Sequence, residues 1–239
     1  MEKQLQLSRF KVLSGSVLKL IACISMFADH IAKFYLSQFP WVKAELFSIA
    51  GRSINLFQLM TMFGRFAFPI FVFLLIEGFH KTHDRKKYGL SIFILALISE
   101  IPYNLMLNHS LLYMRQSVMF TLLLGYLAMC SLEYFKNKPV ISMVLLLVMF
   151  LVSRYMQADY KTAGFLFILL MYGLRKERVV QCLVSAVLLP MKSMVFLALL
   201  LTGMYNGERG FIKTPVLKYC FYAFYPVHMI VIYLLARYC

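Results

Sequence analysis

Asp29 and His30 are adjacent ionisable residues inside an apolar run that begins near Leu18. Neighbouring residues on a helix point about 100° apart, so Asp29 is poorly placed to orient His30. The imidazole is therefore expected to pair across helices. A second histidine, His228, follows the aromatic run Tyr219 to Tyr225 and Pro226. Arg65 and Glu100 lie at the edge of one apolar stretch and within another, and Asn104 and Gln116 follow. Asp159 and Tyr160 stand between two further stretches. Such residues at membrane depth mark a functional site by default. An imidazole can take a proton near neutral pH with little tuning. His30 is the expected base and His228 the alternative. Asp29 would hold a partner side chain or steady an imidazolium. Arg65 is expected to pair with Glu100, or to join it in one polar network. Glu77 and His80, near the other membrane face, read equally well as snorkelling or loop residues. The histidines lack metal-site spacing, so no metal is expected. No P-loop, H-E-x-x-H or G-x-S-x-G motif occurs.

These residues need a scaffold, and composition says which kind. Of the 239 residues 62% are hydrophobic and 15% charged, and mean hydropathy is +0.75. Soluble chains average about 45–50% and about 25%, so this is an integral membrane protein. The formal net charge of +15 reads as topology-fixing loop cations rather than a nucleic-acid surface. Five scattered cysteines show no C-x-x-C pair or disulfide pattern, and they are assigned no chemistry. The polar first 17 residues and the absence of an A-x-A site argue against a cleaved signal.

The expected fold is all-α: one polytopic transmembrane bundle domain over 1–239, of about nine spans, with the N-terminus in the cytoplasm. The segments are 18–36, 63–79, 88–107, 117–135, 139–153, 162–174, 179–190, 193–206 and 219–237. The short pair around Pro190 reads as two spans joined by a turn or as one kinked span. With nine spans, the inner side takes the cations before and at the start of the first helix, those of Lys81–Lys87, Lys136–Lys138 and Arg175–Arg178, and those of Arg209–Lys218. That is sixteen of the 25 Lys and Arg, as the positive-inside rule asks. The longest connection, Ser37 to Met62, reads as an external loop with an interfacial piece anchored by Trp41. Asp29, His30, Arg65, Glu100, Asn104, Gln116 and His228 then fall in one layer between mid-membrane and the outer face.

Six blocks resemble the TraX family in order: L-K-L-I-A-C-I-S-M-F-A-D-H at Leu18–His30, G-R-F-A-F-P-I-F at Gly64–Phe71 with E-G-F at Glu77–Phe79, L-I-S-E-I-P-Y at Leu97–Tyr103, M-F-T-L-L-L-G at Met119–Gly125, Y-N-G-E-R-G at Tyr205–Gly210, and K-Y-C-F-Y-A-F-Y-P-V-H at Lys218–His228. The resemblance implies a bacterial inner- or plasma-membrane protein of the broad transmembrane acyltransferase superfamily. It also implies N-terminal acetylation of conjugative pilin as the namesake activity, with Asp29-His30 in the family's D-H motif. Two positions depart. Asp159-Tyr160-Lys161 stands where D-Y-G is expected, and Ser117 replaces an Asn before the M-F-T-L block. Both fall at the outer mouth, where they bear on the acceptor.

The resemblance implies a reaction that moves an acetyl group from cytoplasmic acetyl-CoA to an amine or hydroxyl of a peptide, pilin or glycan acceptor outside, in which Arg65 would stabilise charge developing on the thioester carbonyl oxygen. Asn104, Gln116, Asp159 and Tyr160 would contact that acceptor. Phosphates of CoA need cations, and inner-loop candidates are Lys81, Arg85, Lys86 and Lys87, with Arg175, Lys176 and Arg178. Two readings compete. A proton-coupled transporter would also bury His, Asp and Glu, but should show inverted repeats or broken helices in matching halves; no such symmetry is visible. A non-catalytic assembly factor would not need the clustered polar layer.

Overall fold

Apolar runs of helical length become helices throughout the computed structural model, which describes residues 11–49, 51–111, 114–177, 180–181 and 192–239. In chain order these are α1 (Gly15–Phe34), a 3-10 turn (Leu36–Gln38), α2 (Pro40–Lys43), β1 (Glu45–Ile49), β2 (Arg52–Asn55), α3 (Leu56–Gly64), α4 (Ala67–Lys81), α5 (Arg85–Asn108), α6 (Val118–Tyr134), α7 (Pro139–Tyr155), α8 (Lys161–Gly173), α9 (Lys192–Gly203) and α10 (Pro215–Tyr238). Helices coincide with eight of the nine expected segments. The ninth, 179–190, lies almost wholly outside the described residues, as do Arg178, Cys182, Pro190 and Met191. Among the described residues, three stretches are long and apolar enough to cross a membrane: α3 with α4 (Leu56–Lys81), α5 and α10. α6, α7 and α8 are shorter apolar helices. α7 leaves Val140, Val144, Leu147 and Leu151 exposed, an apolar face suited to lipid rather than water. The chain is a helical membrane protein.

Two expectations are corrected. The Ser37–Met62 connection is not mainly loop: Glu45–Ile49 and Arg52–Asn55 pair as an antiparallel hairpin turning at Gly51, where φ is +74°. That hairpin departs from an all-α chain. The next helix begins at Leu56, because Asn55 accepts from the Gln58 N–H and Gln58 accepts in return from the Asn55 N–H. This reciprocal cap satisfies two orphan donors. Arg65 therefore closes α3 rather than opening a span.

The chain forms two compact units: Met1–Phe71 with Met191–Cys239, and Val72–Pro190. In the first, α1 packs on α3 and on α10. Contacts climb together along α1 and α10, from Lys19 beside Phe221 and Tyr222 to His30 beside His228, so the two helices run parallel. The Y-N-G-E-R-G block clamps the start of α1. Gly15 N–H donates to Glu208 O, Ser16 N–H to Arg209 O, and Ile212 N–H to Ser16 Oγ. In the second unit α6 is central, packed by α5, α7 and α8, around Leu124, Ala128 and Phe165. Gly125 permits this approach: a Cβ there would lie 2.5 Å from Ile168 Cδ1. Gly125→Ala is expected to cost about 1–3 kcal/mol by overpacking, read as a lower thermal midpoint. Ile168→Ala in the same chain should recover part of that loss. An unchanged midpoint in the single variant would refute the close approach.

Candidate functional site

His30 and His228 meet at the α1–α10 contact, with Nδ1 of His30 2.8 Å from Nε2 of His228. Their planes are 8° apart and their centroids 5.1 Å apart, so the rings meet edge to edge along the N···N line. Nδ1 of His228 lies 2.7 Å from the Phe224 carbonyl oxygen. A carbonyl only accepts, so this nitrogen carries the proton. In the neutral pair Nε2 of His228 is then bare and accepts from Nδ1–H of His30. That leaves Nε2 of His30 as the free lone pair. His228 is 4% exposed, stacked on Phe224 and edged by Phe27. His30 is only half-buried. By residue exposure His30 is the more open of the two imidazoles, with His228 fixing its tautomer from behind. The cross-helix pairing expected of His30 is present. Its partner is the residue that the sequence treats as its rival.

Asp29 has a partner on its own helix: Lys33 Nζ donates to Oδ2 at 2.6 Å, an i,i+4 pair. Arg65 acts on the same carboxylate within the first unit. Gly64 lies so close that a Cβ there would overlap Asp29 Cβ, and Ser25 Oγ donates to Phe63 O at 2.6 Å. α1 is thereby seated on α3 beside the histidines.

Glu100, expected to pair with Arg65, belongs to the second unit, where it accepts from the Ser117 N–H at 3.3 Å. Asn104, one turn on, donates to Leu111 O. The Ser117 side chain also bears on the Glu100 carboxylate, and Asn104 Oδ1 and Thr121 Oγ1 are buried with no hydrogen-bond partner. Asp159 accepts from Tyr103 O–H at 2.5 Å and acts on Glu100 electrostatically. Tyr160 caps α8, and Gln116 is half-buried next to Ser117. Glu100, Asn104 and Asp159 are thus brought to one end of this unit.

Of the inner-loop cations, Arg85 lies 4.4 Å over Phe79 and Arg175 4.8 Å over Tyr172, rings that touch edge to face. Glu133 accepts from Tyr172 O–H, and His80 stacks on Tyr172. Lys81 pairs with Glu77 at 3.4 Å. Lys86 and Lys176 are exposed. Sequence reasoning missed Lys33, four residues past Asp29, although that spacing is itself the signal.

A half-buried imidazole is thus held by a buried one across two helices of a helical membrane protein. The chain belongs to the TraX family: residues 14–236 match the family described as TraX protein. It is 25% identical over 242 residues to a protein of Dichelobacter nodosus named "Probable fimbrial assembly protein FimC, serogroup H1", a likeness covering 90% of this chain and 93% of that relative. No solved structure matches it.

Proposed function

We propose that the protein is an acetyl-CoA-dependent acetyltransferase of the bacterial plasma membrane, with nine spans and a cytoplasmic N-terminus. Its acceptor is an amine or hydroxyl outside. The observation that carries this reading is the chain from the Phe224 carbonyl through His228 to His30, which leaves Nε2 of His30 as a directed base. As the acceptor nitrogen or oxygen attacks the thioester carbonyl, its proton passes to Nε2 of His30. The His30 Nδ1 proton can shift to His228, where the Phe224 carbonyl steadies the charge. Arg65 stabilises the oxyanion. The C–S bond then breaks, and the departing thiolate takes the proton back from His30. The fimbrial relative favours a pilin or other peptide acceptor over a glycan.

Purified protein given acetyl-CoA should bind it by calorimetry and acetylate a peptide amine detectable by mass spectrometry. A well-folded sample that binds none would favour the transporter or assembly readings. For topology, cysteines placed at Thr82 and Ser48 in a background lacking the native ones should differ toward an impermeant reagent. Position 48 should label in intact cells and position 82 only after permeabilisation. Labelling of position 82 from outside would reverse the proposed orientation.

A further inference from the structure

Lys19, Arg209 and Lys218 form a cluster of positive charge that the histidine chemistry does not use. Lys19 sits one turn into α1, half-buried, with Nζ 5.9 Å from the centroids of both Phe221 and Tyr222. Lys218, in the first turn of α10, lies over Tyr219 and Tyr222. Arg209 and Lys218 both act on Lys19 electrostatically. Among the described residues the ion pairs are Lys33–Asp29 and Lys81–Glu77, so no carboxylate is paired with any of these three cations. Like charges held together repel one another, and an arrangement of this kind is stabilised by an anion. Beside it, Glu208, Arg209, Gly210, Phe211 and Lys213 line an open pocket of about 440 Å³. Its backbone is built rather than loose. Gly207 and Gly210 adopt φ of +86° and +83°, and the Glu208 and Arg209 carbonyls are tied to Gly15 and Ser16. Glu208 is the one carboxylate in the lining, and its N–H is held by Asn206 Oδ1.

Position gives the cluster a use. Lys19 precedes His30 by eleven residues on one helix, a rise of about 16 Å, and α10 runs parallel beside it. A ligand whose phosphates rest on the three cations could reach the histidine pair only through a long, extended arm. We propose that Lys19, Arg209 and Lys218 bind the phosphates of a nucleotide whose arm carries the acyl thioester toward His30. For its donor this rests on the acetyltransferase reading. It transfers phosphate recognition from the loop cations of the second unit to the unit that holds the base. Phosphate could also come from an anionic lipid headgroup, so the test separates the two sources.

The full chain is placed in nanodiscs of phosphatidylcholine alone and titrated calorimetrically with CoA and with adenosine 3',5'-bisphosphate, which has phosphates but no arm. Both should bind. Arg209→Gln, Lys218→Gln and Lys19→Gln should each weaken both ligands about tenfold or more, while Lys19→Arg keeps binding. Arg209 is exposed, so its variant tests the site even where Lys19→Gln fails to fold. CoA binding that is equal in wild type and all three variants overturns this proposal and leaves the acetyltransferase reading standing. So does loss of binding in Arg85→Gln or Arg175→Gln alone. If neither nucleotide binds, the proposal is overturned, and phosphatidylglycerol that co-purifies from membranes with the wild type but not with the three variants assigns the cations to a lipid headgroup instead. If no phosphate ligand depends on these cations, the site is refuted.

Discussion

His30→Ala is expected to lower acetyl transfer by about 10²–10⁴-fold, the usual worth of a positioned general base, while acetyl-CoA binding persists. His228→Ala should cost less. It removes the group that holds the Nδ1 proton of His30 but leaves the lone pair that takes the substrate proton. A sharper comparison uses His228→Gln, whose amide oxygen can accept from Nδ1–H of His30 and so should restore part of the rate lost in His228→Ala. The measurement is single-turnover transfer with each variant first shown to be monodisperse. Near wild-type transfer by His30→Ala, with none by His228→Ala, would reverse the two roles. The asymmetry rests on exposure: His228 is closed in by Phe224, Phe27 and His30, so a substrate has no comparable access to it.

The second large effect is expected at Gly64. Any side chain there meets Asp29, with Cγ and Oδ1 both 2.8 Å from the added Cβ and Asp29 Cβ closer still. The Asp29 Cβ is fixed to its helix and cannot swing aside, so α1 must move off α3. Gly64→Ala should cost about 1–3 kcal/mol, seen as a lower midpoint of thermal unfolding in detergent. It should also reduce transfer more than that destabilisation alone explains, because His30 follows Asp29 directly on the displaced helix. Gly173, whose added Cβ would meet nothing within 4 Å, serves as the comparison, and Gly173→Ala should leave the midpoint in place. Equal midpoints for the two variants would show that α1 and α3 are not in contact at Asp29.

Much of the scaffold was legible because its signals are local. The charge-free run from Pro139 to Ser153 is a helix, and so are the runs around Ile92 and Leu122. The hairpin was hidden because its strands are only five and four residues long, too short for alternation to stand out between apolar patches. The start of α3 was readable in Asn55–Gln58, a capping-box pattern, but the apolar residues after it masked the boundary. Within the site, the types of the residues were legible and their pairings were not. Nothing within a few positions of His30 signals His228, 198 residues away. The clustering of Lys19 with Arg209 and Lys218 likewise depends on how the chain ends pack. Asp29–Lys33 is the opposite case, a local pair set by helical spacing alone.

The distance along the chain between these partners has a consequence in time. Ser16 is tied to Arg209 across 193 positions and His30 to His228 across 198. At about 5–20 residues per second of synthesis, α1 exists for roughly 10–40 s before α10 has been made. During that interval the clamp on its first turn and the orienting imidazole are both missing. Every incomplete chain therefore carries Asp29 and His30 on α1 with the His30–His228 pair unformed. The histidine pair arises late, only once α10 has been made, so a chain truncated before α10 carries His30 with no second imidazole to fix its tautomer.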